Sequence, residues 1–142
     1  MTAAGHILAN ETIHDGIREL EEEIGIRAEM DELKALGEVE YSVTNDDFID
    51  KEIAHVYLYD NPLRMEDFTL QPEEVCGIVK AEFDSFQDFW KGSIHKLEVD
   101  GFKLGPSGNN KPFRMNVDRS HFVPHFDYFK RITKMIRKYL YE

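Results

Sequence analysis

Ile13, Ile17, Leu20 and Ile24 recur at i, i+4, i+7 and i+11. That rhythm commits the stretch to an amphipathic helix with one buried stripe. The helix is expected over Ile13–Ile24, with Thr12 capping its start and Asp15 suiting its first turn. Gly25 is placed to end it in a left-handed turn. Gly16 inside it costs about 1 kcal/mol relative to alanine. Off the apolar stripe, Glu19, Glu22 and Glu23 fall on one face, because i, i+3 and i+4 are neighbours on a helix. Three like charges that close repel, and a helix that keeps them has a cation to share. Hard carboxylate oxygens suit Mg²⁺ or Mn²⁺ better than zinc. A divalent ion held this way commonly serves work on phosphates. Glu21 points elsewhere and is assigned to solvent.

The rest of the chain alternates strand and helix signals. Leu36–Val43 reads as a strand, Thr44–Asp47 as a turn and Ile53–Tyr59 as a second strand, so the two are placed to form a hairpin. Asp60, Asn61 and Pro62 end it. Val75–Phe83 reads as another strand and Ser85–Trp90 as a short helix. His95–Leu104 reads as a small hairpin about Asp100–Gly101. Gly105–Pro112 reads as a loop, and Pro124–Tyr141 as a helix with Phe129 and Ile132 on its apolar side. Trp90, Tyr57 and Tyr59 are read as core aromatics, the alternative being rings that stack on a base. The order of elements implies an α/β (α+β) chain. There are no internal repeats.

At 142 residues the chain has the length of one compact domain, and 42% apolar residues can fill its core. A formal charge of −11 argues against nonspecific nucleic-acid binding, which feeds on basic patches. The single cysteine, Cys76, excludes an internal disulfide and fits a reducing cytoplasm. Its apolar neighbours Val75, Ile78 and Val79 make it a small core residue. No stretch approaches the roughly 20 apolar residues that span a bilayer, and there is no signal-like leader.

The segment from Gly5 to Ile26 also resembles the Nudix box. Gly5, Glu11, Arg18, Glu19, Leu20, Glu22, Glu23, Gly25 and Ile26 all find a place in that pattern. The Arg-Glu-apolar-x-Glu-Glu-x-Gly half is highly specific. One departure is plain: six residues, not seven, separate Glu11 from Arg18. The resemblance implies a single Nudix domain over 1–142, an α/β/α sandwich with a mixed sheet between helices. It implies that Glu19, Glu22 and Glu23 hold Mg²⁺ or Mn²⁺, and that Arg18 orients glutamates through its fork of donors. It places Glu11 as the loop glutamate. Gly5 lets backbone pass close to metal or phosphate, and His6 beside it is a candidate contact. The ion would neutralise phosphate oxygens while a carboxylate takes a proton from water and water attacks phosphorus in line. Glu22 is a candidate for this work. A later loop can also supply the base, and there Glu74 is the better candidate of the pair Glu73–Glu74; the bland reading is two exposed turn acids after Pro72. The implied substrate is a small diphosphate, a nucleoside diphosphate linked to another moiety.

The family normally places several strands before its box, whereas here the box begins at Gly5. The chain therefore reads as N-terminally incomplete, with an uncovered sheet edge that favours a homodimer. Ala3-Ala4-Gly5-His6 and Arg119–His125 resemble the branch near isopentenyl-diphosphate isomerase. That branch has a catalytic cysteine where this chain has Ala4, and alanine cannot move a proton at carbon. The stretch with Arg119 and His121 is read as packing the last helix, the alternative being that Arg119 or His121 lines the pocket. The alternatives to a hydrolase are thus an isomerase-like enzyme, disfavoured by Ala4, and a noncatalytic nucleotide-binding module.

Overall fold

The computed structural model describes residues 12–45, 48–60 and 62–141. Its first helix, α1, runs Ile13–Ile24, as the apolar stripe requires. Thr12 is extended, and its N–H donates to Asp15 Oδ2 at 2.9 Å. This bond is the main reason that the Asp15 carboxyl lies below its usual range. At the other end Gly25 takes φ 76° and donates to Glu21 O at 3.1 Å. Glycine is required there twice over. A side chain would be strained at that φ, and a Cβ would come within 2.8 Å of both N and Cβ of Thr69.

The chain divides into two compact units. One comprises Met1–Leu33, Tyr59–Lys80 and Asp100–Arg114. Its core gathers Ile24, Ile26, Leu70 and Phe102, with Leu20 and Val75 packed against them. The stripe of α1 therefore buries its C-terminal half most deeply, with Ile24 only 3% exposed. The second unit comprises Lys34–Leu58, Ala81–Val99 and Met115–Glu142. Strands β1 (Leu33–Asn45) and β2 (Phe48–Tyr59) pair as a two-stranded sheet. The Tyr41 hydroxyl on β1 donates to Glu52 Oε2 on β2 at 2.6 Å.

A three-stranded sheet has the order β3 (Gly77–Lys80), β4 (Leu97–Leu104), β5 (Asn110–Val117). Gly77, Ile78, Val79 and Lys80 face Lys103, Phe102, Gly101 and Asp100 in antiparallel register. Helices α2 (Phe83–Lys91) and α3 (Phe126–Tyr141) belong to the second unit. Arg137 on α3 donates to Gln87 Oε1 and to Asp84 on α2, which gives the amide oxygen of the buried Gln87 a partner.

Phe89, Trp90, Leu97, Val99, Val117 and Phe129 form the core of the second unit. Trp90 is 2% exposed and stacks on Phe129 with ring centroids 4.6 Å apart. Among the described residues its indole Nε1 has no hydrogen-bond partner. The guanidinium of Arg119 lies over the rings of Trp90 and Phe126 at 5.8 and 5.1 Å and donates to Trp90 O at 3.4 Å. Arg119 therefore packs against the start of the last helix, and Trp90 is a core aromatic, as expected from sequence.

The class is the α+β one expected. Among the described residues the strands are shared between two sheets, where one mixed sheet was expected. Several local readings need correction. Asp100–Gly101 is not a turn but the middle of β4. Gly101 is there because the opposite backbone comes close: a Cβ would fall 2.1 Å from Ile78 O. The turn lies later, where Gly105 N–H bonds Asn109 O at 2.8 Å and Gly108 takes φ 80°. Pro112 sits within β5, an edge strand of this sheet, where a missing N–H can face away from the ladder. The strand read over Val75–Phe83 shortens to β3, and Phe83 opens α2. Thr44 and Asn45 continue β1, and Asp46 and Asp47 lie outside the described residues. Cys76 is exposed, not a core residue. Val75 and Ile78 take the core positions instead.

Candidate functional site

The helix α1 carries four of the residues singled out by sequence. Glu19 and Glu23 are partly buried, and Glu22 and Arg18 are exposed. Arg18 stands between two acids, with Nη2 3.6 Å from Asp15 Oδ1 and Nε 3.8 Å from Glu22 Oε1. These are the i−3 and i+4 positions on the same helix, so the pairing follows from helical geometry. Glu21 projects to solvent and approaches Arg27 at 4.0 Å.

Glu23 reports the field of the site. Burial pushes its carboxyl above the usual range, and the charges of Glu19, Glu74 and Glu22 push it further. The effect of Glu74 is notable, because Glu74 lies far along the chain, on the turn after Pro72. It is exposed, as is Glu73.

Backbone hydrogen bonds explain how that turn reaches the helix. Thr69 N–H donates to Ile24 O at 2.9 Å, and Gln71 N–H donates to Glu23 O at 2.9 Å. The last carbonyls of a helix have no partner within it, and this segment supplies two. Gln71 O in turn accepts from Glu74 N at 3.0 Å and from Val75 N at 2.8 Å. Thr69 and Gln71 were not found by sequence reasoning, because a main-chain donor leaves no side-chain signature. The signal available was Gly25, whose place after the helix implied nearby carbonyls in need of donors.

Whether these residues suit a divalent cation can be tested on their chemistry. The donors are hard carboxylate oxygens, and Glu23 shows that their negative charges accumulate. That set fits Mg²⁺ or Mn²⁺. As the side chains stand, no three of the described His, Cys, Asp or Glu residues form a ready coordination group. Glu22 leans on Arg18 instead. A cavity of about 190 Å³ also borders α1, lined by His14, Ile17, Arg18, Glu21, Arg27 and Glu29 among others, but none of Glu19, Glu22 and Glu23 lines it. Gly5, His6 and Glu11, read as substrate-binding residues, lie outside the described residues.

An α+β chain whose helix bears this carboxylate face, closed at its end by Gly25, has the local architecture that the box resemblance implies. Comparison with known proteins agrees. An uncharacterised Nudix hydrolase of Clostridium acetobutylicum is 35% identical over 137 residues, covering 96% of this chain and 66% of that one. Nudix hydrolase 3 of Arabidopsis thaliana is 37% identical over 94 residues, covering 63% of this chain and 12% of that one. The chain thus spans just under two thirds of the first relative and a small part of the second. No family model matches, and no solved structure matches. The chain belongs to the Nudix hydrolase superfamily. No helix among the described residues is long and apolar enough to cross a membrane.

Proposed function

We propose that this chain is a Mg²⁺-dependent (or Mn²⁺-dependent) pyrophosphohydrolase. Its substrate would be a small molecule, a nucleoside diphosphate linked to another moiety. The observation that carries this reading is the box pattern on α1, where Glu19, Glu22 and Glu23 share one face of the helix in a chain similar to proteins named Nudix hydrolases. Such a concentration of charge favours a hard cation and, through it, an anionic substrate.

In this reading Glu19, Glu22 and Glu23 offer the ligand oxygens. Magnesium, when bound, supplies neutralisation of the phosphate oxygens. Arg18 restrains Glu22 through the contact at 3.8 Å. Glu74 or Glu22 takes the proton from the attacking water. Water oxygen bonds to phosphorus as the bridging oxygen–phosphorus bond breaks, so the products are two phosphorylated fragments. Gly5, His6 and Glu11 are assigned to the substrate side by resemblance.

The same reading takes residues 1–142 as one Nudix domain, for which one cooperative unfolding transition is expected. It places the protein in the cytoplasm, in keeping with its single cysteine. It also takes the protein as a homodimer, because among the described residues each strand of the β1–β2 sheet has a single strand partner. Sedimentation tests that point: a monomer at high concentration removes it.

The central experiment is a panel of nucleoside diphosphate conjugates with Mg²⁺ or Mn²⁺, assayed for monophosphate release. Metal-dependent release supports the hydrolase. No product from any substrate, with metal bound to folded protein, points to a nucleotide-binding module. Conversion of isopentenyl to dimethylallyl diphosphate would revive the isomerase.

A further inference from the structure

We propose that Thr69–Val75 is a latch on the end of α1, and that Gln71 is its positioning residue, holding Glu74 beside the carboxylate face for hydrolysis. This rests on the hydrolase reading above.

Glu74 is exposed on a turn whose Gln71 N–H bonds Glu23 O, at the end of the helix that carries Glu19, Glu22 and Glu23. An unrestrained exposed turn bearing an acid would relax away from the negative end of a helix that carries like charges. Something must hold the turn in place, and its backbone does so.

The peptide groups on either side of Gln71 Cα face two ways. The N–H of Gln71 caps Glu23 O, the carbonyl of the very residue whose carboxylate feels Glu74. The carbonyl of Gln71 accepts the N–H groups of Glu74 and Val75 and so shapes the turn that carries Glu74. One residue thus joins the two acids through main chain alone. Thr69 adds a second bond, to Ile24 O, two residues earlier. Leu70, between them, is buried, and Val75 packs on the same core, so apolar contacts pin the segment at both ends. Gly25 lets it approach, since a Cβ there would strike Thr69.

The test is a double-mutant cycle between Gln71→Pro, which deletes the N–H, and Glu74→Gln, which deletes the charge. Each single variant is expected to lower kcat by about 10- to 100-fold with KM little changed, the scale expected of a small misplacement of a reacting group. The double variant should be no slower than Glu74→Gln alone. Multiplying losses, in folded proteins with an active wild type, would overturn the positioning role and leave the hydrolase reading standing. A wild type inactive on every substrate would instead overturn the hydrolase reading, and with it the role given to Gln71.

Gln71→Pro can fail to fold, so amide hydrogen exchange supplies an independent measurement on the wild type. The amides of Thr69 and Gln71 should be protected. Gln71→Ala keeps the N–H and should keep the protection at residue 71. Rapid exchange of Gln71 in the wild type would sink the latch without recourse to any variant.

Discussion

Thr69 lies against the bare α-carbon of Gly25: a Cβ on Gly25 would fall 2.8 Å from that of Thr69, whose N–H meanwhile closes on Ile24 O at 2.9 Å. Two residues far apart in sequence thus finish one helix. The left-handed turn and the close approach are parts of the same junction, so one substitution disturbs both.

Gly25→Ala should therefore be costly. The left-handed conformation alone costs about 1–2 kcal/mol for an L side chain, and displacement of Thr69 adds to it. A loss of roughly 2–4 kcal/mol in denaturant-measured stability is expected, within the range of severe single mutations. A loss below about 0.5 kcal/mol would mean that the junction relaxes freely.

Glu22→Gln separates chemistry from stability. Its ion pair with Arg18 is long and exposed, at 3.8 Å with side chains 60% and 63% accessible. Such pairs contribute less than about 1 kcal/mol, so the unfolding midpoint should hardly move. Turnover should fall by roughly 10²- to 10⁴-fold if this carboxylate serves the reaction. An unchanged rate would remove Glu22 from the site.

Tyr41 supplies a pH signature. Its hydrogen bond to Glu52 is the main cause that its phenol is pushed up to about 12. The folded state thus keeps a proton that the unfolded chain loses near pH 10. The contribution is fully present below about pH 10 and is lost as pH rises through 12. The stability difference between wild type and Tyr41→Phe should shrink across that window, and a difference constant with pH would exclude the linkage.

Trp90 tests the core of the second unit. Truncation to alanine should cost about 3–5 kcal/mol, since the ring is buried among Phe89, Phe122 and Phe129. Trp90→Phe should cost far less. It loses some volume but also removes an N–H that has no partner among the described residues. Equal losses in thermal or urea unfolding would show that the indole shape, not ring burial, matters most.

Cys76 is exposed. A thiol reagent should therefore modify the native protein at a rate close to that of the denatured chain. Strong protection in the native state would return Cys76 to the interior.

How far the sequence could be read depended on whether the signal was local. Helix α1 was legible to its end residues, because the stripe Ile13–Ile24, the Thr12–Asp15 cap and Gly25 each act within a few positions. The carboxylate face was legible for the same reason. Asp100–Gly101 misled, because an Asp-Gly pair has the chemistry of a turn. Its glycine instead accommodates Ile78 O across the sheet, a fact about a strand about twenty residues away. Cys76 misled because apolar neighbours do not fix which way a side chain faces.

By itself the sequence determined the helix, its acidic face and the family pattern that they share, since each follows from periodicity and residue type along a short run. Tertiary structure alone decided that Thr69 and Gln71 would meet the end of that helix, and that Glu74 would lie within the field of Glu23. The physical reason is that main-chain donors are nearly the same at every residue. Only folding determines which carbonyls they reach.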